Sequence, residues 1–148
     1  MVLPSDADIG ILLGLAFAEF VDELRADLAR RGFDDLGPSY GYVFRVLGDG
    51  DRSLSELAGL LGMTLPGAGK IVDEMERRGY VERHGDPADR RVKRLRLSPR
   101  GREALKAAHA FHRRFERRLP NGPALRAALQ GIAGDAAAGP APRYVRPL

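Results

Sequence analysis

The stretch from Ser53 to Ser98 constrains this chain most, because it reads as two short helices, a tight turn and a hairpin in unbroken order. Ser53-Leu54-Ser55-Glu56 has the form of a capping box, in which the Ser53 hydroxyl accepts from the Glu56 amide and the Glu56 carboxylate reaches back. Leu54, Leu57, Ala58 and Leu61 then recur at helical period, and Gly62 ends the helix. A second helix starts near Thr64. Pro66 is tolerated in its first turn, where a missing N–H has no intrahelical partner to lose. Ala68, Val72 and Met75 form its inward stripe, and Gly79 ends it. Tyr80 to Arg83 and Arg91 to Ser98 read as strands around a turn-rich tip, His84 to Asp89. In the second strand Lys93, Leu95 and Leu97 share one face, and Val92, Arg94 and Arg96 the other. Helix, turn, helix and hairpin together make a winged helix-turn-helix.

That arrangement suits duplex DNA. The major groove admits one helix, and the free amides at a helix start attract phosphate. The formal net charge of +4 says little alone; its placement says more. Arg90, Arg91, Lys93, Arg94, Arg96 and Arg100 follow one another with no acidic residue among them. A cationic hairpin beside a reading helix is what phosphate binding requires.

The flanking segments read as helices. Apolar residues recur from Ile9 to Leu28, giving a long helix over 5–31 with Ser5 as N-cap and Gly32 as C-cap. Ser39 to Leu47 forms a shorter helix, stopped by Gly48-Asp49-Gly50-Asp51. Ser98-Pro99 starts a fifth helix, with proline at its favoured first position. Pro120-Asn121-Gly122 breaks it, a sixth helix runs to about Ala138, and 139–148 reads as a tail. The expected fold is mainly α with a small β-hairpin wing, and the 148 residues suffice for one domain over 1–148.

Several function classes drop out. The chain has no cysteine, which removes disulfides, thiolate metal sites and cysteine redox sensing. His109 and His112 share a helix face, yet no metal-binding spacing surrounds them, so they read as solvated residues and no metal or cofactor is expected. The longest apolar run, Ile9 to Phe20, is interrupted by Gly10, Gly14 and Glu19 and is too short to span a membrane. The first residues lack the basic flank of a signal peptide, so a cytoplasmic location is expected. No phosphate-binding glycine loop, nucleophile elbow or catalytic cysteine is present, and Asp86 and Asp89 at a hairpin tip are poorly placed for shielded acid–base chemistry. No enzymatic activity is expected.

The segment Asp89-Arg90-Arg91-Val92-Lys93-Arg94-Leu95-Arg96-Leu97-Ser98-Pro99-Arg100-Gly101 resembles the wing of the MarR (multiple antibiotic resistance regulator) family, whose pattern is Asp-x-Arg, three residues, then Leu-x-Leu-Thr/Ser-x-x-Gly. Ser53 to Ala58 and Met75 to Arg83 are similar to the family as well. The resemblance implies a homodimer joined through helices in 5–31 and 98–138. The winged parts, 39–97, would bind a pseudo-palindromic operator in double-stranded DNA. It implies a regulator, commonly a repressor, released by a small aromatic or anionic effector. It also implies that Asp89 orients Arg91 toward DNA.

On that reading Arg90, Lys93 and Arg94 supplement Arg91 at phosphates. Lys70 makes a base or phosphate contact, and Ser53 and Thr64 assist at phosphates. Pro66, Gly67 and Gly69 bring the backbone close. The chain departs from the family here: Leu65-Pro66-Gly67-Ala68-Gly69-Lys70 holds one long donor, and Glu74 stands where a cation is common. Readout therefore leans on DNA shape and the wing. The residues expected to line an effector cleft are Phe17, Phe20, Tyr40, Phe44, Arg45 and His112. The competing reading is a winged-helix protein-interaction module without specific DNA binding, favoured by the bland reading helix and opposed by the basic wing.

Overall fold

The computed structural model describes residues 6–134 and holds nine elements there, eight of them in the expected order. They are α1 (Ile9–Arg30), α2 (Tyr40–Gly48), β1 (Arg52–Ser53), α3 (Leu54–Leu61), α4 (Leu65–Arg77), β2 (Val81–Gly85), β3 (Lys93–Leu97), α5 (Pro99–Arg118) and α6 (Gly122–Ala133). The chain divides into two compact units between Leu36 and Gly37, so α5 and α6 fall with the winged part, whereas the sequence groups them with the first helix. The expected tail, 139–148, lies outside the described residues.

The first unit is α1 and the segment after it. The helix begins after Asp8, four residues later than expected; Asp8 is extended and makes no side-chain cap bond. The expected cap, Ser5, lies outside the described residues. At the other end Gly32 adopts φ +91°. The Phe33 amide donates to the Leu28 carbonyl at 2.9 Å and the Gly32 amide to Ala29 at 3.0 Å, which closes the helix in a Schellman motif. Arg30 and Arg31 both donate to the Asp27 carboxylate. Ile9 and Phe17 remain exposed, at 73% and 66%.

The second unit builds its core from every element except β1 and α6. Val43 and Leu47 of α2, Leu57 and Leu61 of α3, and Val72 and Met75 of α4 are buried with Tyr80, Val81, Leu95 and Leu97. Burying each such side chain stabilises the fold by about 1.5–3 kcal/mol before entropy is counted. Tyr40, Phe44 and Tyr80 meet edge to face, with centroids 5.6–6.4 Å apart.

Local chemistry sets the helix boundaries. Both capping-box bonds form, each 3.1 Å, between Ser53 and Glu56. Gly62 closes α3 in the left-handed region. Thr64 Oγ1 accepts from the Gly67 amide at 3.2 Å and starts α4. The hairpin is joined by a third strand that sequence reading does not anticipate. Two residues of β1 pair with β3, so the sheet order is β1-β3-β2. Leu95 and Leu97 face the core, while Lys93 on the same alternation is exposed because it stands at the strand's outer end.

The turn from β3 into α5 is tightly determined. Ser98 Oγ accepts from the Gly101 amide at 2.9 Å and donates to the Gly79 carbonyl at 2.5 Å. Gly101 lies against Tyr80, and Arg100 packs over the Tyr80 ring with its Cζ 4.7 Å from the centroid. The α5–α6 turn uses Asn121 at φ 56° and Gly122, and Arg126 of α6 pairs with Glu116 of α5.

Candidate nucleic-acid interface

Half of the cations from Arg90 to Arg100 are engaged with the fold, and the other half gather at the hairpin tip. Arg96 pairs with its cross-strand neighbour Glu82 at 3.0 Å. Arg100 is engaged with Tyr80. Arg94, expected at phosphate, is turned inward instead. It donates to the Asp51 carbonyl at 2.8 Å and lies 3.5 Å from Glu56 and 3.9 Å from Asp86. It joins the wing to the loop before β1 and to α3, which is a positioning role.

Arg90, Arg91 and Lys93 are exposed. Arg91 is tied to Asp89 twice. Its backbone amide donates to Asp89 Oδ1 at 3.0 Å, and its Nε donates to the same atom at 3.2 Å. The guanidinium still has 92% of its side-chain surface free. The tip is held by Asp86, which accepts from the Ala88 amide at 2.8 Å, and by the Val92 amide donating to the Asp89 carbonyl. These two acids are therefore turn-forming groups, not a catalytic pair.

The outer face of α4 is opposite its buried stripe of Ala68, Val72 and Met75. Pro66, Lys70, Asp73 and Arg77 share that outer face and line one shallow groove with Leu54, Leu65 and Gly69. Among the described residues Lys70 and Arg77 make no ion pair. Gly69 is half-buried in this groove, where a Cβ would stand at an ordinary van der Waals distance, 3.6 Å, from Leu54 Cδ2. A Cβ on Gly67 would stand 3.1 Å from Thr64 Oγ1, so Gly67 also protects the cap. Ser53 and Thr64 both spend a hydroxyl lone pair on caps.

The acids of α4 are neutralised from inside the unit. Glu74, which stands where a cation is common, has partners within the unit. Tyr40 donates to it at 2.6 Å, and Arg78 pairs with it at 3.0 Å. The Tyr40 hydrogen bond and the nearby cations hold its carboxyl below the usual range, against the opposing effect of burial. Arg83 of β2 reaches Asp73 at 2.5 Å and Glu76 at 3.2 Å. Arg77 and Arg83 are the functional candidates that sequence reading misses. The seven-residue spacing from Lys70 to Arg77 was available as a signal; the Arg83 clasp, across ten residues, was not.

The expected effector residues differ in exposure. Tyr40 and Phe44 are core, buried to 3% and 5% exposure with Tyr80, rather than cleft walls. On α1, Phe17 is exposed and Phe20 half-buried. Arg45 is exposed on α2, and His112 is half-buried on α5 with an edge contact to Phe111. His109 and His112 are not solvated as expected. The His109 Nε2 is buried without a hydrogen-bond partner. Burial first, and then the charge of Arg45, pushes both imidazoles below their ordinary range. Among the described residues no group of three metal-ligating side chains gathers, and no helix is long and apolar enough to cross a membrane.

Known proteins share this architecture. Residues 34–92 match the MarR family. The chain is 27% identical over 107 residues to the exopolysaccharide II synthesis transcriptional activator ExpG of Rhizobium meliloti, covering 72% of this chain and 55% of that protein. It is 42% identical over 52 residues to the transcriptional repressor MprA of Escherichia coli, covering 35% of this chain and 30% of that protein. The chain thus spans about half or less of the length of these relatives. Among solved structures, the transcriptional repressor CouR bound to a 23-mer DNA duplex superimposes with a TM-score of 0.68 at 26% identity, covering 90% of this chain and all of that one. Residues 34–92 thus match the MarR family, and the fold is similar to that of a transcriptional repressor solved on DNA.

Proposed function

We propose that the chain reads a pseudo-palindromic operator in double-stranded DNA as a homodimer. Each subunit would lay α4 in a major groove and set the wing tip on the flanking backbone. The observation that carries this is the tip itself: Arg90, Arg91 and Lys93 are exposed together, and Asp89, paired with Arg91, orients it without covering it. Such cations supply phosphate affinity, while α4 supplies base contacts.

Dimerisation is supported by apolar surface left uncovered in a single chain. Ile9, Leu13 and Phe17 of α1 and Leu125, Leu129 and Ile132 of α6 are exposed, the last at 72%. Patches of this kind mark protein interfaces. Repression would follow from occupying a promoter. The relatives include both an activator and a repressor, so the position of the operator sets the sign. An anionic effector is supported by exposed Arg45, whose charge already reaches His109 and His112. Titrating aromatic acids against the DNA complex, with and without Arg45→Ala, tests that part.

The main test is selection of genomic duplex fragments followed by footprinting. The proposal expects one enriched family of sites whose half-sites lie about one helical turn, or a multiple, apart. Fragments retained no better than random duplex would contradict it and favour a protein-interaction module.

A further inference from the structure

The reading end of α4 is apolar where it meets solvent. Its first six residues offer one long polar side chain, Lys70. Leu65 is 49% exposed, although Ala68 and Val72 on the adjoining stripe are almost fully buried. Leu65 and Pro66 form one wall of the α3–α4 groove and Leu54 the other. Gly69 adds no side chain to the groove between them.

The groove's charges name its occupant. Lys70 and Arg77 stand on the same face, two turns or about 10 Å apart along the helix. Asp73 lies between them but is held by Arg83, which reduces its repulsion of an anion. An apolar slot flanked by two cations fits a surface that presents apolar groups between phosphates. In the major groove of DNA the C5-methyl of thymine is the one apolar group that a base pair displays.

We propose that this groove reads thymine methyl groups, with Leu65 as the specificity-determining residue. The inference rests on the DNA-binding reading above. Hydrogen-bond donors are then not needed at the start of α4, and its bland composition becomes a preference for A·T pairs under Leu65 and Pro66.

The experiment uses the full chain and a selected operator. One duplex carries thymine throughout; the other carries deoxyuridine at the positions footprinted beneath α4. This change removes methyl groups and leaves charge and hydrogen-bonding pattern intact. The wild-type chain should bind the deoxyuridine duplex about fourfold more weakly for each methyl lost, the equivalent of one buried carbon. Leu65→Ala should bind the thymine duplex more weakly and bring the ratio of the two affinities toward one. Leu65→Met should retain the ratio. Thermal melting establishes that both variants are folded. Equal wild-type affinity for the two duplexes overturns the inference and leaves the DNA reading standing. An unchanged ratio in Leu65→Ala overturns the role of Leu65. Binding of either duplex no tighter than a scrambled one overturns the DNA reading itself, and this inference with it.

Discussion

A Cβ placed on Gly101 would stand 2.2 Å from the carbonyl oxygen of Tyr80. That oxygen already accepts from the Ser98 amide at 2.9 Å, so the backbone there has no freedom to withdraw. The last three fixed positions of the wing motif thus share one purpose. Leu97 fills the core, Ser98 caps α5 while holding Gly79, and Gly101 lets the first turn of α5 touch the start of the wing. Gly101→Ala should lower stability by about 1–3 kcal/mol, the usual cost of overpacking. Thermal or urea unfolding measures it, and an unchanged midpoint would contradict the contact.

The clasp from Arg83 to Asp73 and Glu76 should matter more for binding than for stability. Its partners are substantially exposed, so the pairs contribute about 1 kcal/mol or less to folding. Arg83→Ala would leave two carboxylates unneutralised on the reading helix. We expect a nearly unchanged melting temperature and several-fold weaker DNA binding. Adding Asp73→Asn should recover part of the loss. Anisotropy titrations of the single and double variants check this, and no recovery would mean that Arg83 acts otherwise.

Asp89 and Arg91 should behave as one unit. Removing Arg91 deletes the cation; removing Asp89 leaves it present but unaimed. Asp89→Ala should therefore weaken DNA binding less than Arg91→Ala, and the double variant should be no weaker than Arg91→Ala alone. Additive losses in the cycle would show that Asp89 contributes separately.

The two α5 histidines set a pH dependence. Burial lowers both imidazoles in the folded chain, helped by Arg45 and Arg113 at His109 and by Arg45, His109 and Arg126 at His112. The unfolded chain then binds more protons between the folded and unfolded pKa values. The stabilising contribution is complete above the unfolded value of about 6.5 and is lost as pH falls below it. Melting temperature should drop between pH 7.5 and 5.5, and His112→Gln should flatten that slope. A slope identical in both proteins would remove His112 from the account.

The architecture was readable because the local signals agree with one another. The capping box at Ser53, the cap at Thr64, the glycine stops at Gly62 and Gly79, and the alternation through Leu95 and Leu97 each specify a boundary from a few adjacent residues. What escaped was set by distance along the chain. Arg94 looks like a free wing cation until the fold brings Asp51 and Glu56 to it. Tyr40 and Phe44 look like cleft aromatics until Tyr80 packs edge-on against both in the core. The two-residue strand β1 carries no alternation to detect, because it exists by pairing with β3.

The salt dependence of operator binding tests the central claim most directly. If Arg90, Arg91 and Lys93 rest on phosphates, the logarithm of affinity must fall linearly with the logarithm of salt concentration. Lys93→Ala should then reduce that slope by about one or less while weakening specific and random duplex about equally. Affinity that is independent of salt, or a slope that Lys93→Ala leaves unchanged along with the affinity, would show that the wing does not touch DNA.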